Sequence, residues 1–164
     1  MAQTKLLFIC LGNICRSPSA EAVMKKIVRN KGLEEKYTID SAGMIGHHEG
    51  EEADSRMKKH ARKRDIQLQS IARQVRSQDF STFDYLFTMD QKNIADLKAL
   101  AGDRPDYHEK IYPMCRFCRD ERFLSQNQVP DPYFGGADGF ELVLDLLEDA
   151  CEGLVEKIES GEKL

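Results

Sequence analysis

The stretch CLGNICRS (residues 10–17) places a thiol and a guanidinium on either side of a short loop, directly after the apolar run KLLFI. The backbone N–H groups of residues 11–16 can converge on one anion, and the start of a following helix adds positive charge from its dipole. Gly12 and Asn13 tolerate the unusual backbone angles that such a loop needs. The loop therefore has the composition of an anion cradle.

Cys10 and Arg16 give this cradle its chemistry. The field of the amides and of the helix favours the thiolate of Cys10, which is the nucleophilic form of cysteine. Ser17 can donate a further hydrogen bond to the sulfur. Arg16 can bind two phosphate oxygens through its planar guanidinium, a geometry that lysine lacks. Together these groups predict a phosphate-ester hydrolysis site that needs neither a metal nor a cofactor.

Hydrolysis through a cysteine also needs an acid that protonates the leaving oxygen. The best candidate is Asp131 in VPDPYFGG (129–136), where prolines on both sides stiffen the loop. Tyr133 and Phe134 add apolar surfaces beside this carboxyl group. We expect Asp131 to lie over the cradle as a general acid.

These residues need a scaffold that brings them together, and the chain alternates between strand and helix patterns. KLLFIC (5–10) is a near-continuous apolar run, as expected of a strand that is buried on both faces. The helix after it is predicted over 17–32, with Ser17 as its N-cap and Gly32 at its end. The remaining elements are predicted as strands within 37–43, 83–90 and 110–115 and as helices over 54–65, 91–102 and 136–160. Such alternation indicates an α/β fold with a mostly parallel sheet, helices on both faces, and ligands at the carboxyl ends of the strands.

Composition and charge limit which binding partners and which cellular compartment are expected for the protein. The 164 residues suit a single domain over 1–164, and the net charge of −4 gives no support for nucleic-acid binding. No apolar stretch approaches the roughly 20 residues of a membrane span, so no membrane partner is expected. The N-terminus lacks a signal-peptide pattern, and the five irregularly spaced cysteines make a poor disulfide framework. We expect a cytoplasmic protein with free thiols.

Five motifs together resemble one known family. CLGNICRSPSAEAV, IDSAG, ARQV, FDYLFTMD and DPYFGG occur in this order, and with their spacing they resemble the low-molecular-weight protein tyrosine phosphatases. The resemblance extends from about Lys5 to about Ile158. It implies a three-layer sandwich in which a four-stranded parallel twisted sheet, of flavodoxin-like order 2-1-3-4, has helices on both faces. It also implies a phosphotyrosine-containing protein substrate, and we expect a monomer.

The resemblance implies a role for each residue of the cradle. Cys10 is the nucleophile that forms a phosphocysteine, and Arg16 binds the phosphoryl group and stabilises the transition state. Asp131 protonates the leaving tyrosine oxygen and then activates water. The phosphate-binding residues are Leu11, Gly12, Asn13, Ile14, Cys15 and Arg16.

Supporting residues follow from the same resemblance. Asn13 holds the loop's strained shape with help from Ser41, while Ser17 tunes the thiolate. Tyr133 and Phe134 form the wall against which the substrate ring packs. Cys15 is expected to form a reversible disulfide with the nucleophile, which would protect that sulfur from irreversible oxidation.

Three positions depart from the family's pattern. Ser70 replaces a histidine that often supports the asparagine of the loop. His47 lies near the position of an aromatic residue at the pocket rim, with His48 beside it, which suggests a polar, pH-sensitive rim. Cys115 and Cys118 form a CxxC unusual for the family, which is compatible with structural thiols, a redox pair or half of a shared metal site.

Two other functions compete with the phosphatase. A thiol-dependent arsenate reductase uses a similar loop, but it needs further cysteines in mid-chain, and residues 88–102 contain none. A non-catalytic phosphotyrosine-binding module would not need the intact set of Cys10, Arg16 and Asp131. The phosphatase is therefore the favoured interpretation.

Overall fold

A parallel sheet lies at the centre of the molecule. The computed structural model describes residues 2–164, the side chain of Phe134 excepted. The sheet order is β2-β1-β3-β4 and every neighbouring pair is parallel, which confirms the predicted topology. The strands are β1 (Thr4–Cys10), β2 (Tyr37–Gly43), β3 (Tyr85–Thr88) and β4 (Ile111–Pro113).

Helices follow the strands at most of the predicted places. The α-helices are α1 (Arg16–Asn30), α2 (Ser55–Arg62), α3 (Asp79–Thr82), α4 (Gln91–Ala101), α5 (Pro105–His108) and α6 (Ala137–Glu159). Short 3₁₀ helices cover Glu34–Lys36, Met114–Phe117 and Pro132–Phe134. The predicted fourth strand is shortened because the chain turns into a 3₁₀ helix at Met114.

The prediction of Ser17 as the N-cap of α1 is wrong. The helix begins at Arg16 with Cys15 in the cap position, and no side chain caps it. Ser17 lies inside the first turn, where its hydroxyl contacts the side chains of Cys10 and Asn13 instead of a helical N–H. The helix also ends two residues before Gly32, which adopts a left-handed φ of 71° just beyond it.

Two apolar clusters cover the two faces of the sheet. Leu6 and Phe8 of β1 pack on one face, in the cluster that contains α1 and α6. Leu7 and Ile9 point to the other face and pack against α3 and α4. The continuous apolar run of β1 thus reflects burial on both sides, and the predicted layers of helices are present.

The strand order places three loop entrances side by side. β1 lies between β2 and β3, so that Cys10 pairs with Gly43 and Ile9 with Thr88. The segments that follow these strands therefore meet at one edge of the sheet. Across the described residues 2–164, no helix combines the length and apolar character needed to cross a membrane.

Candidate active site

A cavity of about 240 Å³ opens at this edge of the sheet. It brings together the predicted residues Cys10, Leu11, Gly12, Ile14, Cys15, Arg16, His47, Asp131 and Tyr133. Ile45 and His48 also line it; His48 was expected at the rim beside His47, whereas Ile45 was not predicted. Asn13, Ser17 and Ser41 are buried behind the loop. The prediction for the Phe134 side chain lies outside the described residues.

Cys10 lies at the base of the cavity with 3% of its surface exposed. The backbone N–H of Asn13 donates to its sulfur at 3.3 Å, and the Ser17 hydroxyl lies 3.0 Å from the same sulfur. Both contacts can stabilise a negative charge on the sulfur, since each brings a hydrogen-bond donor to it.

The amide of Asn13 fixes the direction of these hydrogen bonds. The backbone N–H of Arg73 donates to Oδ1 of Asn13 at 3.0 Å, so the other end of the amide is the NH₂ group. That group donates to Ser17 Oγ at 2.7 Å and to Ser41 Oγ at 2.9 Å. Because the Ser17 oxygen accepts from Asn13, its own proton is directed to Cys10, which is closer than the alternative acceptor at 3.5 Å, the carbonyl of Ala42.

Asn13 also has the backbone conformation expected of a strained loop. Its φ is 59°, in the left-handed region that Asn tolerates better than most residues. Its side chain has three partners, supplied by Arg73, Ser17 and Ser41, and Ser70 is not among them. The histidine replaced at position 70 is therefore not needed to satisfy this amide.

Glu21 extends the network and was missed as a site residue. The Ser41 hydroxyl accepts from Asn13 and donates to Oε1 of Glu21 at 2.6 Å. Glu21 is buried, and its second oxygen accepts from Lys25 at 2.7 Å. The signal that could have identified Glu21 is its position one turn beyond the cradle.

Arg16 is held by Asp90, which follows β3, and by the carbonyl of Val129, which lies two residues before Asp131. Its Nη1 donates to Oδ2 of Asp90 at 2.7 Å and to the carbonyl of Val129 at 3.1 Å. Its Nη2 lies 3.5 Å from Oδ2 of Asp131. Asp90 was not predicted, although its place directly after a strand and before a helix is a site signal in this class of fold.

Asp131 is positioned by its own turn. Its Oδ1 accepts from the N–H of Tyr133 at 3.0 Å and caps the 3₁₀ helix Pro132–Phe134. The side chain is 33% exposed, and its second oxygen faces Arg16. The acid loop is anchored further back by the N–H of Val129, which donates to the carbonyl of Met89 at 2.6 Å.

The rim of the cavity combines histidine, tyrosine and an aliphatic side chain. His48 packs over the loop, since a Cβ on Gly12 would come within 3.0 Å of its ring. The Nδ1 of His48 lies 2.9 Å from Glu51, and the ring meets His47 edge-on with centroids 4.9 Å apart. Ile45 is 43% exposed at the same opening.

Arg56 braces the tyrosine wall from outside. It donates to the carbonyl of Tyr133 at 3.1 Å and lies 5.3 Å from the centroid of its ring. Asp54 pairs with Arg56. Partial burial alone would raise the pKa of Asp54, but hydrogen bonds from Arg56 and from the N–H of Met57 hold it below its usual range.

Cys15 also lines the cavity but lies in a different environment from Cys10. Burial raises the pKa of Cys15 strongly, and the negative charges of Asp54, Cys10 and Asp131 raise it further. Its thiol therefore stays protonated at neutral pH. Within residues 2–164, no cluster of three or more His, Cys, Asp or Glu side chains is arranged to hold a metal ion.

Comparison with known proteins gives consistent matches. The family profile described as "Low molecular weight phosphotyrosine protein phosphatase" matches residues 5–163. The low molecular weight protein-tyrosine-phosphatase of Bacillus subtilis is 39% identical over 160 residues, which cover 97% of this chain and 98% of that protein. The low molecular weight phosphotyrosine protein phosphatase of Gallus gallus is 38% identical over 152 residues, or 93% and 94% of the two chains. A crystal structure of a protein tyrosine phosphatase from Entamoeba histolytica superposes with a TM-score of 0.92 and 52% identity, covering 97% of this chain and 99% of that one.

Proposed function

Because the chain belongs to the low molecular weight phosphotyrosine protein phosphatase family, whose members are enzymes, we propose that it hydrolyses phosphotyrosine in proteins through a phosphocysteine on Cys10. The observation that carries this proposal is the convergence of Cys10, Arg16 and Asp131 on one small cavity. Their geometry supports an attacking group at the base, a cation behind the phosphate and an acid at the mouth.

In the first step, the thiolate of Cys10 attacks phosphorus while the bond from phosphorus to the tyrosine oxygen breaks. The leaving oxygen takes the proton of the Asp131 carboxylic acid, so that tyrosine departs neutral and Asp131 becomes a carboxylate. Arg16 and the amides of residues 11–16 stabilise the charge on the equatorial oxygens during transfer. The loss of the general acid in such a step typically costs roughly 10²–10⁴-fold in rate.

In the second step, water attacks the phosphocysteine. The Asp131 carboxylate takes a proton from that water, the S–P bond breaks, and inorganic phosphate leaves with the thiolate restored. Ser17 donates to the sulfur in the thiolate state, which makes Cys10 a better leaving group. The cycle regenerates both groups without a metal.

The depth of the cavity supports preference for an aryl ester. Cys10 is almost fully buried below a rim formed in part by Ile45, His48 and Tyr133. A tyrosine side chain carries its phosphate farther from the peptide backbone than serine does, and its ring can pack on these walls. We therefore expect phosphotyrosine peptides to be hydrolysed faster than phosphoserine peptides.

The test is turnover of p-nitrophenyl phosphate and of a phosphotyrosine peptide in the presence of a chelator. Turnover should persist with the chelator and should be abolished in Cys10→Ser. Full activity of Cys10→Ser, or a strict need for metal, would refute the mechanism. Arsenate reduction coupled to thiol oxidation would instead favour the reductase, and phosphotyrosine binding without turnover would favour the binding module.

The acid is tested by Asp131→Asn, because an asparagine can keep the hydrogen bond from the N–H of Tyr133. The rate should fall more for phenyl phosphate than for p-nitrophenyl phosphate, since the better leaving group depends less on protonation. Asp138→Asn, which removes an exposed carboxylate from the first turn of α6, is the matched control. Equal losses for the two esters would show that Asp131 is not the acid.

We further propose that residues 1–164 act as one monomeric domain in a reducing, cytoplasmic compartment. All five cysteines are free thiols in the structure, which suits such a compartment. Light scattering of the purified protein tests the monomer, since a dimeric mass would overturn it.

A further inference from the structure

Cys115 and Cys118 lie outside the catalytic cavity, directly after β4. They occupy the 3₁₀ helix Met114–Phe117 and the residue after it, and the N–H of Cys118 donates to the carbonyl of Cys115 at 3.2 Å. In a 3₁₀ turn, side chains three residues apart stand above one another, and a rise of about 2.0 Å per residue separates their Cα atoms by about 6 Å. Disulfides span Cα separations of about 4.4–6.8 Å. The backbone thus already suits a disulfide between these two thiols.

The two thiols differ in exposure and in acidity. Cys115 is partly exposed, whereas Cys118 is only 8% exposed. Hydrogen bonding between the thiols lowers the pKa of Cys115, while the same contact and burial raise the pKa of Cys118. Because the thiolate is the attacking form of cysteine, Cys115 is suited to attack and Cys118 to resolve.

The surrounding structure holds the turn in place. Gly153 of α6 lets the carbonyl of Phe117 approach so closely that a Cβ there would lie 2.1 Å from the oxygen. Phe117 packs edge-on against Phe87 of β3, with centroids 5.7 Å apart. Arg116, between the two cysteines, donates to the carbonyl of Leu164 at 2.7 Å. These contacts hold in place the backbone of the turn that carries both cysteines.

A structural metal site is the poorer explanation of the pair. No third His, Cys, Asp or Glu joins the two thiols in a metal-binding group within the part of the chain that the structure describes. The nearby carboxylate of Asp149 is already used, because it accepts from the N–H groups of Arg119 and Asp120.

A groove next to the turn that carries Cys115 and Cys118 offers space for a small reagent. Cys118 borders a groove of about 430 Å³ whose wall also carries Arg116, Arg119 and Lys157, while Cys115 lies outside this lining and is itself partly exposed. Glu156 in the same wall is paired with Arg119. The groove has room for a small disulfide, and with Glu162 as its second acidic side chain the wall carries three basic and two acidic groups.

We propose that Cys115 and Cys118 form a dithiol–disulfide exchange site for small disulfides, separate from the catalytic thiol. The Cys115 thiolate attacks one sulfur of the reagent, forms a mixed disulfide and expels the first thiolate. The Cys118 thiol then loses its proton and attacks the sulfur of Cys115, and the second thiolate of the reagent leaves. The protein loses two electrons and two protons, and the reagent is reduced to two thiols.

The test uses the full chain in glutathione buffers of increasing disulfide content at neutral pH. Samples are quenched with an alkylating agent, and peptides are mapped by mass, so that residues 115 and 118 are read separately from Cys10 and Cys15. The wild type should form an internal disulfide between Cys115 and Cys118 that a dithiol reductant reverses. This measurement needs no phosphatase turnover, so its failure is distinct from failure of the proposed function.

Two serine variants assign the roles. Cys118→Ser should accumulate a stable mixed disulfide with glutathione on Cys115, because nothing resolves it. Cys115→Ser should leave Cys118 reduced and alkylated more slowly than Cys115 is in Cys118→Ser, because Cys118 is only 8% exposed whereas Cys115 is partly exposed. Retained p-nitrophenyl phosphate turnover shows that each variant is folded. Absence of the internal disulfide in the wild type, or equal alkylation rates in the two variants, would overturn the proposal.

Discussion

Gly43, at the end of β2, is the position where a single methyl group should disturb the proposed catalytic loop, residues 10–16. A Cβ there would lie 2.9 Å from the carbonyl oxygen of Leu11, 3.0 Å from the backbone nitrogen of Asn13 and 3.0 Å from the carbonyl carbon of Gly12. Gly43 itself has little freedom to retreat, because its N–H donates to Arg73 and its carbonyl accepts from Val75, both at 2.8 Å. In Gly43→Ala the loop must therefore move.

The size of the movement follows from these contacts. Ordinary contact with a Cβ begins at 3.4 Å, so the oxygen of Leu11 must retreat by about 0.5 Å and the neighbouring atoms by about 0.4 Å. A misplacement of about 1 Å in a catalytic group can cost about 10²-fold in rate. Half of that displacement predicts a loss of roughly tenfold in kcat/KM.

The assay is kcat and KM for p-nitrophenyl phosphate, with circular dichroism and thermal melting to establish that the variant is folded. Gly139→Ala is the matched control, since its Cβ would meet Pro132 at an ordinary 3.7 Å and alanine suits the first turn of α6, where Gly139 lies. A folded Gly43→Ala protein with kcat/KM within twofold of the wild type would refute the reasoning. An equal loss in Gly139→Ala would show that the effect is not specific to the loop.

Two further predictions concern charge. Asp90→Asn should keep the cap of α4 but lose the anion that holds Arg16, and kcat/KM should fall by roughly 10–100-fold, as expected for a hydrogen bond to a charged group. Steady-state kinetics beside Asp96→Asn, an exposed carboxylate on the same helix, check this, and an unchanged kcat/KM would contradict it. Stability should also fall as the pH drops below about 4.3, because hydrogen bonding from Arg64 holds the pKa of Glu141 below its usual value. A group whose pKa is lowered in the folded state stabilises the fold above its unfolded pKa, and this stabilisation is lost as the pH falls through the folded pKa. The melting temperature of Glu141→Gln should therefore depend less on pH in this range than that of the wild type. The same pH dependence in both proteins would contradict the prediction.

The loop of residues 10–16 could be singled out as a candidate site because the residues of its proposed chemistry lie close together in sequence. Cys10, the cradle and Arg16 lie within seven residues, between a strand and a helix that periodicity also reveals. Asp131 was selected by asking which group could supply the proton that the proposed reaction needs. Both inferences use residue types that few other functions would combine.

The remaining parts of the site depend on contacts between distant segments. Asp90 reaches Arg16 only because β3 lies next to β1, and that neighbour relation is a property of the sheet rather than of either segment. Ser17 was misassigned because two uses compete for its hydroxyl, and the contact with the buried sulfur of Cys10 prevails over helix capping. His48 over Gly12 depends on the path of an irregular loop, for which the sequence carries no periodic signal.

Met89 and Asp90, directly after β3, connect Arg16 to the segment that precedes Asp131. The carbonyl of Met89 accepts from the N–H of Val129, and the carboxylate of the next residue, Asp90, accepts from Arg16. The carbonyl of Val129 accepts a hydrogen bond from the same nitrogen of Arg16. These hydrogen bonds link Arg16, the Met89–Asp90 segment and Val129 in a closed ring. Because Asp131 lies two residues beyond Val129, Arg16, the proposed phosphate-binding cation, and Asp131, the proposed acid, are tied to one short segment of backbone. A displacement of that segment should move the Arg16 guanidinium and the Asp131 carboxyl group together. The distance between these two groups should therefore change less than the distance of either group from Cys10.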